Sequence, residues 1–158
     1  MTVEANVRRL QLALPQTPRP LGDYVPAVEA GNLLFVSGML PIKDGAAAFA
    51  GRVGQELTIE SGRRAAQLAV ANALAVARDA VGLNRLAAVV RLGIHIACAF
   101  DFQEHAAVAD AASELLNQVF EGGRHSRLAF GNSSLPGSMP VELELIFLLH
   151  PKDRSVTQ

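Results

Sequence analysis

The stretch HSRLAFGNSSLPGSMPVELEL, residues 125 to 145, concentrates reactive side chains among residues that otherwise read as buried strand. Period-two alternation puts Arg127, Ala129, Gly131 and Ser133 on one strand face and Leu128, Phe130 and Asn132 on the other. Leu128 and Phe130 are expected to turn into the core, which leaves Arg127 beside two positions with almost no side chain. A guanidinium with room beside it can grip a carboxylate through two parallel hydrogen bonds. The plainer alternative is a structural ion pair with Glu142 or Glu144 on the following strand. Those two carboxylates share a face with Ile146 and Leu148, where partial burial raises a carboxylate pKa and a nearby arginine lowers it. Either can orient a water, and both can equally be solvated groups at a strand end.

Other reactive residues are less suggestive. His95, His105, His125 and His150 do not stand at metal-ligand spacing, so no metal is expected. His125, two residues before Arg127 and on its face if the strand starts there, is the histidine to follow; the alternative is a loop residue that bonds only backbone. Cys98, the single cysteine, lies in the apolar run HIACAF and reads as a small buried hydrophobe. It excludes an intramolecular disulfide and suits a reducing cytoplasm, the expected location. Ser61 and Ser113 have no base at motif spacing, and the glycines form neither GxGxxG nor a phosphate loop, which counts against a nucleotide cofactor.

The elements that must position these residues follow from pattern. Val3, Val7, Leu10 and Leu14 recur at helical spacing, so a helix is expected over residues 3 to 14, ended by PQTPRPLG. Tyr24 to Ala30 and Leu33 to Val36 flank Gly31-Asn32, a dipeptide suited to a hairpin turn. SGMLPIKDG reads as irregular chain, and Ala46 to Val53 as a weak third strand. Thr58 is placed to cap a long alanine-rich helix ending at Gly82, with Glu60 in its first turn. Ala88 to Phe100 reads as a strand. Asp101 and Glu104 resemble a capping box for a second long helix, stopped by Gly122-Gly123. Strands are expected at about 126 to 133 and 141 to 149. Val141, Leu143, Leu145, Phe147 and Leu149 point one way and Ile146 and Leu148 the other, so both faces of the last strand are largely apolar. Helices cover one face; another copy of the protein most simply covers the second.

Size and composition agree. A chain of 158 residues suits one domain over 1–150, with residues 1–20 as an N-terminal helical extension and 151–158 as a flexible tail. Half the residues are hydrophobic and only 18% charged, lean for a monomer that must cover all its surface with polar groups. A net charge of -1, no Lys/Arg cluster and 5% aromatics without tryptophan argue against nucleic acid as a partner. No stretch approaches the ~20 apolar residues of a membrane span, and the N-terminus lacks a signal-peptide pattern.

Two segments, NLLFVSGMLPIKDG and GRHSRLAFGNSSLPGSMPVELE, together resemble the RidA-like (YjgF-type) family of reactive-intermediate deaminases. Arg127, Leu135-Pro136, Val141, Glu142 and Glu144 fall on that family's C-terminal pattern, and the resemblance runs from about Tyr24 to Leu149. It implies an α+β, chorismate-mutase-like fold, a mixed sheet with two long helices on one face, here with an extra N-terminal helix. It implies homotrimers with sites between subunits, and hydrolysis of an enamine or imine such as 2-aminoacrylate to a 2-keto acid and ammonia without metal or organic cofactor. Arg127 matches the arginine that holds the small substrate's carboxylate and Glu142 the glutamate that activates water. The backbone N–H groups of Gly38 and Ala129 match those contacting the bound acid, and Ser37 and Tyr24 match polar cleft residues. The chain departs from the family at Met39 for the usual glutamine, Ala129 for a frequent cysteine, and Ala109 or Asp110 for an asparagine. A binder of 2-keto acids without catalysis is the rival reading; the ribonuclease activity of some relatives is disfavoured by charge and aromatic counts.

Overall fold

The computed structural model describes residues 1–152; residues 153–158, most of the expected tail, lie outside it. Its central strand shows why the chain folds as it does. β7 (Val141–Leu149) alternates without exception: Val141, Leu143, Leu145, Phe147 and Leu149 are buried, while Glu142, Glu144, Ile146 and Leu148 are half-buried or exposed. β7 pairs antiparallel with β2 (Leu33–Met39) on one side and β5 (Leu86–Ala97) on the other. β1 (Ala27–Ala30) closes a hairpin with β2 across Gly31, whose φ of 61° is the left-handed geometry the turn requires. β6 (Ser126–Asn132) adds to β5 in parallel, so the sheet order is β1-β2-β7-β5-β6, mixed, with β6 at an edge. This is the mixed α+β architecture expected.

Both long helices lie on one face. α2 (Ile59–Val81) starts where Thr58 Oγ1 accepts the Ser61 N–H at 3.1 Å and ends at Gly82, φ 83°. Its Ala65, Ala66, Ala69, Ala73 and Ala77 are fully buried, small enough to let the helix sit close on Leu34, Leu145 and Phe147. α3 (His105–Val119) covers β5 and β6 beside it. No helix among the described residues is long and apolar enough to cross a membrane.

Several expectations are corrected. α1 is Val3–Arg9, not 3 to 14: Gln11 adopts φ 52°, and the N–H groups of Gln11 and Leu12 turn back to Arg8 and Val7, a left-handed helix stop built without glycine. Leu10 and Leu14 still pack against the core, but from outside the helix. The weak third strand at 46 to 53 is instead a minimal hairpin, β3 (Ile42–Lys43) with β4 (Ala46–Ala47), turning on Asp44 and Gly45, both at positive φ. The capping box does not form: α3 begins after Glu104, which makes no side-chain cap bond, so Asp101 stands outside it.

The largest correction concerns β6. Leu128 and Phe130 do not enter the core; they are 47% and 39% exposed on the face away from the helices. Ala129 is the residue packed against the core, and a Cβ on Gly131 would lie 2.6 Å from His105 Nε2 and 2.7 Å from Cys98 Sγ. The small side chains of β6 are therefore not simple clearance: Ala129 packs on the core, and Gly131, at the mouth of a cavity of about 490 Å³, has His105 of α3 and Cys98 too close for an added side chain. Gly131→Ala should destabilise the protein by about 1–3 kcal/mol through overpacking. A thermal melt measures it, and an unchanged midpoint would mean that α3 does not press on β6 as described.

Candidate functional site

The residues expected at a site fall into two groups on opposite faces of the sheet. On β5, Leu92 is fully buried under the helices and is the partner of Arg127, whereas His95 is the partner of Glu142. Cross-strand partners share a face, and Leu92 and His95 are an odd number of residues apart. Arg127 therefore faces the helix layer and Glu142 the open face. They cannot pair within one chain, so neither the ion pair nor a single-chain site containing both is formed.

The first group surrounds Glu142. Between Val36 and Met39 the pairing of β2 with β7 slips by one residue, a bulge that holds Ser37 and Gly38. A Cβ on Gly38 would fall on the Glu142 carboxylate, so only glycine leaves that carboxylate room to lie across the β2 backbone. The chain beyond the bulge is anchored by buried Asn72 of α2, whose Nδ2 donates to the carbonyls of Leu40 and Ile42 at 2.8 and 2.9 Å. Met39 goes into the core, 5% exposed. Ser37 Oγ donates to the Val25 carbonyl at 2.7 Å, which ties the bulge to the segment carrying Tyr24. Tyr24 is half exposed and its hydroxyl accepts the Leu21 N–H at 3.3 Å. Glu142 takes part in no ion pair among the described residues, unlike Glu144, which lies 3.8 Å from Arg91 Nε. Burial pushes the Glu142 carboxyl above the ordinary glutamate value, and the charge of His95 partly opposes this.

His95 was not singled out from sequence, nor was Asn132. His95 Nδ1 lies 3.1 Å from Asn132 Oδ1, and its ring meets Phe130 edge-on with centroids 4.4 Å apart. Because an amide oxygen only accepts, Nδ1 is the donor in this bond. The signal available was the facing of β6, which once reversed puts Phe130 and Asn132 beside His95.

The second group surrounds Arg127. Its Nη1 donates to Asp110 Oδ1 of α3 at 2.7 Å and to Ser113 Oγ at 3.1 Å. His125 Nε2 lies 3.0 Å from the same Ser113 oxygen, so His125 does join Arg127, through α3 and not through backbone. Burial first, and then the charge of Arg127, push the His125 pKa down. An open cavity of about 410 Å³ beside them is lined by Ser113, Asn117, Arg124, His125 and Arg127 among others. Ala129 lies two residues along β6, an edge strand whose outward side has no neighbouring strand among the described residues. No cluster of three or more metal-ligating side chains is present among the described residues.

Comparison with known proteins follows from this geometry. Residues 4–150 match the family model described as "YjgF/chorismate_mutase-like, putative endoribonuclease". Protein TCP17 of Trypanosoma cruzi is 36% identical over 151 residues, 94% of each chain. The 2-iminobutanoate/2-iminopropanoate deaminase of Dermatophagoides farinae is 28% identical over 138 residues, 87% of this chain and 94% of that one. Among solved structures, Atu1372 of Agrobacterium tumefaciens, of unknown function, superposes with a TM-score of 0.85 at 36% identity, over 94% of this chain and 92% of that one.

The raised Glu142 pKa has a signed consequence. The native state favours its protonated form, so its contribution to stability is complete below the unfolded pKa and is lost as pH rises through the folded one. Glu142→Gln does not titrate there. The stability of this variant relative to the parent should therefore increase from pH 4 to pH 7, measured as melting midpoints at both pH values; a pH-independent difference would show Glu142 to be unperturbed.

Proposed function

The chain belongs to the YjgF/chorismate-mutase-like family, and on that premise we propose that it is an enamine/imine deaminase. Its substrate in this reading is a small carboxylate-bearing intermediate derived from an amino acid, such as 2-aminoacrylate or its imine tautomer. The observation that carries the reading is Glu142: a half-buried carboxylate in no ion pair among the described residues, seated over a bare glycine backbone, with a pKa that burial raises. The Dermatophagoides relative, by its name, deaminates 2-iminobutanoate and 2-iminopropanoate, which supports the substrate class.

In the proposed reaction Arg127 holds the substrate carboxylate and Glu142 takes a proton from a water as its oxygen attacks the imine carbon. The C=N π electrons go to nitrogen, which takes that proton from Glu142, and Glu142 then carries the carbinolamine hydroxyl proton to the same nitrogen. Collapse of the carbinolamine breaks the C–N bond, releases ammonia and leaves a 2-keto acid. An imine is already electrophilic, so positioning and one acid/base group suffice, with neither metal nor organic cofactor.

Because Arg127 and Glu142 face opposite sides of one sheet, the complete site must join Arg127 and the Ala129 backbone of one copy to Glu142, Gly38, Ser37 and Tyr24 of another. A homotrimer with intersubunit sites is therefore part of the proposal. The apolar side chains on the open face support it: Val28, Phe35, Leu128 and Phe130 are 39–52% exposed across three strands.

Ammonia release from enzymatically generated 2-aminoacrylate tests the reading. Glu142→Gln should keep binding of the 2-keto acid product and lose turnover by about 10²–10⁴-fold, whereas Arg127→Ala should lose both. If Glu142→Gln turns over as fast as the parent, the role given to it is wrong. Binding by the parent chain without turnover would leave a metabolite-binding protein, and a monomeric mass in solution would remove the combined site altogether.

A further inference from the structure

Arg127 is tied down at one of its three nitrogens. Nη1 supplies both hydrogen bonds, to Asp110 Oδ1 and Ser113 Oγ; Nε and Nη2 donate to no protein atom among the described residues. In a guanidinium Nη1 lies on the Cδ side, and the N–H bonds of Nε and Nη2 run parallel along the opposite edge. That edge is a fork whose spacing matches the two oxygens of a carboxylate.

The support for Nη1 is itself supported. Ser113 Oγ accepts from Arg127, so its own proton is free to go to His125 Nε2, 3.0 Å away. Burial and the charge of Arg127 both drive His125 toward the neutral ring, which shares one hydrogen bond with the Ser113 hydroxyl whose direction the tautomer sets. Asp110 on one side, and Ser113 backed by His125 on the other, thus hold a single nitrogen of Arg127. The side chain of Arg127 is 26% exposed and that of Asp110 49%, so the free fork borders solvent with a carboxylate next to it.

We propose that Asp110 and Ser113 are positioning residues that clamp Nη1 and present the Nε/Nη2 edge as a carboxylate receptor, and that the charge of Asp110 limits this receptor to monocarboxylates. The inference rests on the reading of Arg127 as the substrate anchor and names the substrate class that anchor accepts. A long arginine side chain left unclamped loses rotamer freedom on binding; one already clamped does not. A second carboxylate on the ligand adds negative charge to a cleft that already holds the Asp110 carboxylate 2.7 Å from the same guanidinium, and like charges across a partly desolvated cleft repel. The opposite role for Asp110, a counter-ion that competes with the substrate for Arg127, predicts effects of opposite sign.

The test is calorimetric binding of 2-oxopentanoate and 2-oxoglutarate, which have the same carbon count and differ by one terminal carboxylate, to the intact protein and three variants. The parent should prefer 2-oxopentanoate. Asp110→Ala should weaken 2-oxopentanoate about tenfold, the scale of a lost hydrogen bond to a charged group. Asp110→Asn keeps the Oδ1 acceptor without the charge. It should hold 2-oxopentanoate within about threefold of the parent while the preference over 2-oxoglutarate collapses, a split that a merely structural role would not produce. If Asp110→Ala binds 2-oxopentanoate as well as or better than the parent, Asp110 is a competitor and the clamp is overturned. If Asp110→Asn keeps the full preference, the charge selection is overturned. Arg127→Ala separates these from failure of the underlying reading: if it binds both acids like the parent, Arg127 is not the anchor.

Discussion

The alternation of β7 is the constraint on which the rest of the structure depends. Five of its nine side chains, all apolar, are buried against the helix layer, and Phe147 is the largest fully buried side chain among the described residues. A one-residue slip would put Glu142 and Glu144 under α2 and expel that apolar set, so the register against β2 and β5 is firmly specified. Fixing β7 in this way fixes Glu142 on the open face. The bulge in β2 then brings Gly38 beneath it, and the pairing with β5 brings His95 opposite it. The chemistry proposed for Glu142 is thus a by-product of how the core is filled.

The same periodic signals explain what could be read from the sequence. The β7 alternation, the Thr58 cap with the Gly82 stop, and the Gly31-Asn32 turn each rest on local residues that carry their own geometric requirement, and all three appear in the structure. The facing of β6 was not legible in this way. Leu128 and Phe130 look like core because they are large, yet an edge strand covered closely by a helix needs small residues inward, and the large ones turn out. Knowing that requires the distance between α3 and β6, which Gly131 reveals only when His105 and Cys98 are seen beside it. The stop of α1 at Gln11 was hidden for a related reason: a left-handed residue that is not glycine carries no sequence mark.

Closeness of α3 to β6 also determines the electrostatics of Arg127. A helix farther away would leave the guanidinium to solvent; at this distance Asp110 and Ser113 reach it, seventeen and fourteen positions back along the chain. Sequence reading marked Asp110 only as a departure at a family position and could not connect it to Arg127, because no periodicity links a helix residue to a strand residue across a loop. Since its side chain is half exposed, the Asp110–Arg127 pair contributes little to stability, on the order of 0–1 kcal/mol. Its consequence is orientation.

Glu142 shows how the proposed assembly and the chemistry bear on one another. In a single chain its carboxyl is already pushed up by partial burial, with His95 opposing. Covering the open face with another copy would desolvate it further, and desolvation favours the uncharged acid, which cannot take a proton from water. A base at that position therefore needs something to keep it ionised near neutral pH. Two features of the proposed site would act in that direction: the charge of His95, the cross-strand partner of Glu142, and, in the proposed trimer, the guanidinium of Arg127 from the neighbouring copy. An enclosed site has a lower effective dielectric, so the attraction of a charge a few ångströms away strengthens along with the burial penalty it offsets. In the proposed trimer, assembly would raise both opposing terms together and leave the Glu142 pKa governed by the geometry of His95 and Arg127 around it.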